Sequence, residues 1–224
     1  MTRSTQSTFP YPMGCMPVCH THYPSSNFLM VLTRAEWAEK AVAAGKHVLL
    51  EKPLSANGDE AVKIFDAAKR HNKVVLEAFH WRFHPAAHVV KSLVESGRYG
   101  HVISTYSRMT SPSGTIPKSD IRWQFDLAGG SLMDMAYTVS AARYFVGAGM
   151  PLEVEEAKAR TWKKDPRIDE AMEARMRFKR EEGEVTSDIK TDMNQAFMGH
   201  LVPKVWQVPS IRIELEHAII YYYK

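Results

Sequence analysis

The chain is poor in cysteine, with two in 224 residues, and it holds no apolar run of bilayer-spanning length. Two cysteines cannot build a disulfide framework, so a reducing compartment and a cytoplasmic location are expected. A membrane-spanning helix needs about 20 consecutive apolar residues, and none is present, so no membrane partner is expected. No acidic residue precedes Glu36, and no glycine lies between Gly14 and Gly45. The missing glycines exclude a Gly-rich phosphate-binding turn from that stretch. Nor is there a one-signed surface stripe. The net charge of +4 comes from 29 basic and 25 acidic residues, interleaved as in "RFKREEGE". Nucleic-acid surfaces cluster their Lys and Arg, so no nucleic-acid partner is expected.

Residues 1–32 are rich in Ser, Thr and Pro, show no helix or strand period, and are expected to be poorly ordered. Cys15, Cys19, His20 and His22 fall there. They are metal-ligand types, but no second pair of ligands follows, so no metal site is expected.

Order is predicted from Thr33 onward. "TRAEWAEKAVAAG" opens with Thr33 and Glu36 in capping-box spacing and closes on Gly45. "HVLLE" (47–51) is a continuous apolar run of the kind expected for a strand covered on both faces. "NGDEAVKIFDAAKRHNK" predicts a helix capped by Asn57, with Glu60 at its third position. "VVLEAF" (74–79) is a second strand. Strand, helix, strand at this spacing is a βαβ unit, which implies parallel pairing. A helix follows over "HPAAHVVKSLVESG", with Pro85 in its first turn and Gly97 as its stop.

The pattern then changes. "HVISTYSRMT" (101–110) predicts a long strand, residues 111–130 a loop, and "SLMDMAYTVSAARYFVG" (131–147) one helix. "LEVEEAKARTW", "EARMRFKR", "EVTSDIKTD" and "SIRIELEHAIIYYY" predict an antiparallel sheet with one covered face. The fold class is therefore α/β: a partial parallel βαβ domain over 33–98, followed by an α+β domain with an open antiparallel sheet over 99–224.

Glu51 and Lys52 sit at a strand's carboxyl end, where ligands bind in open parallel sheets. Pro53 fixes the backbone behind them, so the lysine is aimed. A cation there polarises a hydroxyl or lowers a neighbour's pKa. Trp81, Phe83, Trp123 and Phe125 are candidates for either a pocket wall or ordinary core.

"AGKHVLLEKPLSAN", "EAFHWRFHPAAH" and "DIRWQFDLAGGSLMDMAYTVSAARY" occur in that order. Together they resemble the GFO/IDH/MocA oxidoreductases, most closely the branch of NADP-dependent D-xylose and dihydrodiol dehydrogenases. The resemblance covers roughly residues 35–224. It implies a Rossmann domain, then an open-sheet domain that often forms a homodimer contact. It implies NADP as cofactor and a sugar or diol as substrate. Lys52, Tyr137 and Asp134 would be catalytic. Glu51, Lys52, Pro53 and Arg82 would lie at the cofactor. Trp81, Arg122, Trp123 and Asp134 would lie at the substrate. Tyr137 would take the hydroxyl proton as the carbon gives hydride to nicotinamide, with the Lys52 ammonium making the phenolate accessible.

Three departures from the family pattern qualify this. The Gly-rich turn is missing, which implies weak or absent NADP binding. Asp134 and Tyr137 are three residues apart rather than four, so one should point off its usual line unless the helix start changes. The chain also stops inside the expected sheet. A family member cut at both ends is implied, inactive as it stands. The alternative is a catalytically dead oligomerisation module that pairs through its antiparallel sheet.

Overall fold

The computed structural model describes residues 33–199, 201–205 and 207–223. The readings of residues 1–32, with Cys15, Cys19, His20 and His22, and of Trp206 lie outside these. The chain divides into two compact units, Met1–Ala78 and Phe79–Lys224.

In the first unit, α1 (Arg34–Ala43), β1 (Val48–Leu50), α2 (Gly58–Arg70) and β2 (Val75–Glu77) follow in order. β1 and β2 pair in parallel, Val48 opposite Val75 and Leu50 opposite Glu77, as the βαβ pattern requires. The His47 ring Nδ1 accepts the Val74 amide at 3.0 Å and pins the strand starts together. The Asn57 cap forms as predicted: Asn57 Oδ1 accepts the Glu60 amide at 2.9 Å, and Glu60 Oε2 accepts the Ala56 amide at 3.0 Å. The box expected at Thr33 does not form. Thr33 is in a helical conformation and its side chain makes no capping hydrogen bond, while Glu36 pairs with Lys40 one turn on. Ala38, Val42, Val48, Leu50, Ile64 and Ala67 make the core of this unit. β1 is covered on one face, not two. Its Leu49 is 49% exposed, as is Leu76 of β2 at 45%, because α1 and α2 pack into a single cluster.

The second unit holds α3 (Pro85–Glu95), β3 (Val102–Pro112), α4 (Ser131–Asp134), α5 (Tyr137–Val146), β4 (Glu153–Trp162), β5 (Asp165–Lys179), β6 (Glu184–Gln195), β7 (Ser210–Leu215) and β8 (Ile219–Tyr223). The strands form one six-stranded sheet in the order β4-β5-β6-β3-β7-β8. Every neighbouring pair is antiparallel except β3 and β6, which run parallel with Tyr106 opposite Asp188. The sheet is thus mixed, and the departure from a purely antiparallel pattern is that one central pair.

α3 and α5 cover one face. Ala87, Val90 and Val94 of α3 and Ala142, Phe145 and Val146 of α5 share a core with Phe178, Val185, Ile189, Ile211 and Ile213. This is why the division between units falls at Ala78 rather than near residue 98: α3 buries its apolar stripe in the second core. The sheet's other face is open. One row crosses all six strands: Glu156, Arg175, Asp188, Tyr106, Arg212 and Tyr221.

Candidate functional site

In the first unit, Glu51-Lys52-Pro53 follows the carboxyl end of β1, and the Lys52–Pro53 peptide is cis. The loop is gripped from two sides. Arg34 Nη1 donates to the Glu51 carbonyl at 3.2 Å and to the Pro53 carbonyl. The Glu77 carboxylate, from the end of β2, accepts the Leu54 amide at 2.9 Å. Burial pulls Arg34 below the usual arginine range, against the raising fields of Glu51 and Glu77. Lys52 therefore stands on a loop braced by Arg34 and Glu77. The bracing residues Arg34 and Glu77 carried no sequence signal beyond their charge.

In the second unit, a chain of charges links the loop to the helix start. Arg122 Nε donates to Asp134 Oδ2 at 2.8 Å, and its Nη1 to Asp120 Oδ1 at 3.0 Å. Asp120 also accepts the Arg122 amide at 3.0 Å, capping the 3-10 turn Ile121–Trp123. Burial alone would lower the Arg122 pKa, but the hydrogen bonds and charges of Asp134 and Asp120 outweigh it and hold the guanidinium above its usual value. Gly129 and Gly130 close this loop: their amides donate to the carbonyls of Gln124 and Arg122, both at 3.0 Å. A Cβ on Gly129 would stand 2.6 Å from the Gln124 carbonyl oxygen, so the approach needs glycine. Asp120 was missed as a partner, although an Asp two residues before an Arg at a loop-to-turn junction is a recognisable capping signal.

The single helix expected over 131–147 is two. α4 ends at Asp134, Met135 leaves the helical region at φ −99°, ψ 26°, and α5 begins at Tyr137. Met135 is buried against Trp123, Ile168 and Met193. The helix start thus changes between Asp134 and Tyr137. Asp134 faces the Arg122 loop, while Tyr137 packs edge-on against Phe79, ring centroids 5.3 Å apart at 86°.

Tyr137 also lines a small cavity of about 40 Å³ with Trp81, Thr138, Ile211 and Tyr222. That volume holds a few water molecules. Trp81 is 5% exposed and packs edge-on against Tyr144, with its indole nitrogen unpaired. Trp123 is 3% exposed beneath Lys118, whose Nζ lies 3.7 Å from the ring centroid. Arg82 is exposed and stacks over Tyr144 at 5.1 Å. His84 serves as a helix cap, its Nδ1 accepting the Ala86 amide at 3.2 Å. The structure thus groups Arg122 with Asp134, and Trp81 with Tyr137, in the second unit. Glu51, Lys52 and Pro53 belong to the first.

Comparison with known proteins defines the class. The family profile "GFO/IDH/MocA C-terminal domain" matches residues 88–201, and "Oxidoreductase family, NAD-binding Rossmann fold" matches residues 25–79. The chain belongs to the GFO/IDH/MocA family of oxidoreductases.

Among particular relatives, D-xylose 1-dehydrogenase (NADP(+)) 2 of Haloferax volcanii is 44% identical over 116 residues, 50% of this chain and 34% of that protein. The dTDP-3,4-didehydro-2,6-dideoxy-alpha-D-glucose 3-reductase of Actinomadura kijaniata is 36% identical over 123 residues, 54% of this chain and 36% of the relative. The solved structure of levoglucosan dehydrogenase in complex with NADH and levoglucosan superimposes with a TM-score of 0.70 at 28% identity, covering 86% of this chain and 52% of that one. The chain thus matches about a third of the length of these curated relatives and about half of the solved enzyme.

Proposed function

We propose that the chain derives from an NADP-dependent oxidoreductase that removes hydride from a sugar or diol carbon, of the D-xylose to xylonolactone type. The observation that carries this reading is Asp134, held by Arg122 at a helix start inside the segment matched by the family's C-terminal domain. A carboxylate fixed by a guanidinium is a hydrogen-bond acceptor for vicinal hydroxyls. In this reading Tyr137 would accept the hydroxyl proton in the second unit, Lys52 would serve the cofactor in the first, and NADP, when bound, would supply the hydride acceptor. The relatives support the substrate class, since they include a D-xylose dehydrogenase and a levoglucosan dehydrogenase. The 224-residue chain alone is a weak nucleotide binder and a poor catalyst in this reading, because residues 15–44 hold no glycine to seat a pyrophosphate.

The test is a D-xylose titration followed through the Arg122 Nε–H resonance, with a parallel NADPH fluorescence titration. A saturable sugar response that Asp134→Asn weakens, with weak or absent NADPH binding, supports the reading. No response to D-xylose, levoglucosan or a trans-diol overturns it.

A second reading is a homodimerisation module. The row Glu156, Arg175, Asp188, Tyr106, Arg212, Tyr221 on the open face carries both signs of charge. Tyr221 and Tyr223 stack at 6.2 Å and are more than half exposed. A face that carries both signs can meet its own copy about a two-fold axis, so the occupant proposed is a second copy of this chain. Sedimentation tests it: a dimer dispersed by Tyr221→Glu supports the module, and a monomer at all concentrations rejects it.

A further inference from the structure

Asp169 has no part in the reaction outlined above, yet it touches the segment that carries Asp134. It lies on β5, opposite Thr161 of β4. Its Oδ2 accepts the Ser131 hydroxyl at 2.6 Å and the Leu132 amide at 2.8 Å. Ser131 has one hydroxyl hydrogen and gives it to the carboxylate. The 2.8 Å contact between Ser131 and Thr191 therefore has Thr191 as donor. Ser131 and Thr191 are both fully buried.

The other oxygen, Oδ1, lies 2.2 Å from where a Cβ on Gly130 would stand, and Gly130 has φ +130°. A side chain at 130 and a carboxylate at 169 cannot occupy that space together. Three consecutive residues, Gly130, Ser131 and Leu132, are thus fitted to one carboxylate from a strand 38 residues away.

Those residues support the site directly. The Gly130 carbonyl accepts the Asp134 amide at 3.1 Å, and the Ser131 carbonyl accepts the Met135 amide at 2.8 Å. The Met135 carbonyl then accepts the amide of Thr138 at 3.0 Å and its hydroxyl at 3.1 Å. A continuous series of hydrogen bonds runs from the sheet to both ends of the Met135 break.

The geometry points to Asp169 as a positioning residue. Its carboxylate fixes the placement of Asp134, and through Met135 the start of the Tyr137 helix, for the sugar reaction proposed above, on which reading the role rests. A capping side chain ordinarily comes from the residue just before its helix. Here the cap comes from the rigid sheet, so it sets position as well as satisfying amides.

The experiment follows the Arg122 Nε–H resonance, identified by its loss in Arg122→Lys. Asp169→Ala is expected to shift or broaden that resonance and to weaken D-xylose binding several-fold, with the signals of residues 33–78 unchanged. Asp169→Asn keeps an acceptor oxygen and is expected to restore both. An Arg122 signal unmoved in Asp169→Ala overturns the assignment. Should Asp169→Ala not fold, Ser131→Ala is used instead: it removes one of the two donors, a shift supports the role, and no shift overturns it. Failure of the wild-type chain to respond to sugar sinks the sugar reading alone, because the resonance still decides whether Asp169 positions Asp134.

Discussion

Arg122 and Asp134 join two segments of the second unit. The guanidinium of a 3-10 turn and the carboxylate at the end of α4 meet at 2.8 Å. Asp120 holds the same guanidinium from the other side at 3.0 Å. Arg122→Ala is expected to lower stability by about 1 kcal/mol, a value discounted because the side chain is 38% exposed. Urea unfolding measures it. An unchanged midpoint would mean that the pair orients Asp134 without contributing to the fold.

Gly129→Ala should be costlier. The new methyl meets the backbone oxygens of Gln124 and Arg122 at 2.6 and 2.8 Å, and backbone cannot swing aside as a side-chain tip can. A loss of about 1–3 kcal/mol is expected, with displacement of Arg122. Thermal unfolding reads the first effect, and the Arg122 side-chain resonance the second.

Phe145 tests the core under the sheet. It is fully buried and packs against Trp81, Tyr144 and Tyr222. Phe145→Ala is expected to cost about 3–5 kcal/mol. A smaller loss, measured by denaturant unfolding, would show that the surrounding rings close over the space.

Tyr222 predicts an alkaline limit. Burial raises its phenol above the ordinary pKa of about 10. Above that pH the unfolded chain releases a proton that the folded chain keeps, so stability falls as pH rises. The contribution is fully present below about pH 10 and is lost as pH climbs through the raised folded value. Tyr222→Phe should flatten the stability profile in that window, as urea unfolding at successive pH values would show. Identical slopes for the two proteins above pH 10 would refute it.

Much of this architecture was legible because local rules act over a few residues. Asn57 and Glu60 announced a helix start, and β1, α2 and β2 announced a parallel pair. Two of the three motifs that carried the family resemblance, over 44–57 and 120–144, fall in segments that the family profiles match, while most of the middle one, 77–88, lies between them. The parallel pairing of β3 with β6 left no trace, because its partners are distant and each strand's alternation is the same for either direction. The break at Met135 was hidden because apolar residues continue through it, and its cause is burial against Trp123 and Ile168 rather than any helix breaker. Asp169 was invisible for a related reason. It is one acid in a charged strand, and only the fold brings it to Gly130.

The central place of β3 has a consequence for synthesis on the ribosome. Val102–Pro112 emerges early, but its neighbours are Glu184–Gln195 and Ser210–Leu215. The β4–β5 hairpin can close as soon as it is translated, yet β3 must wait, with its Thr105 and Ser107 amides unclaimed, until β6 and β7 have been made. Such late, non-local pairing slows folding and leaves an unpaired strand open to nascent neighbours. The nascent chain's most vulnerable interval is therefore the time taken to translate from β3 to β6.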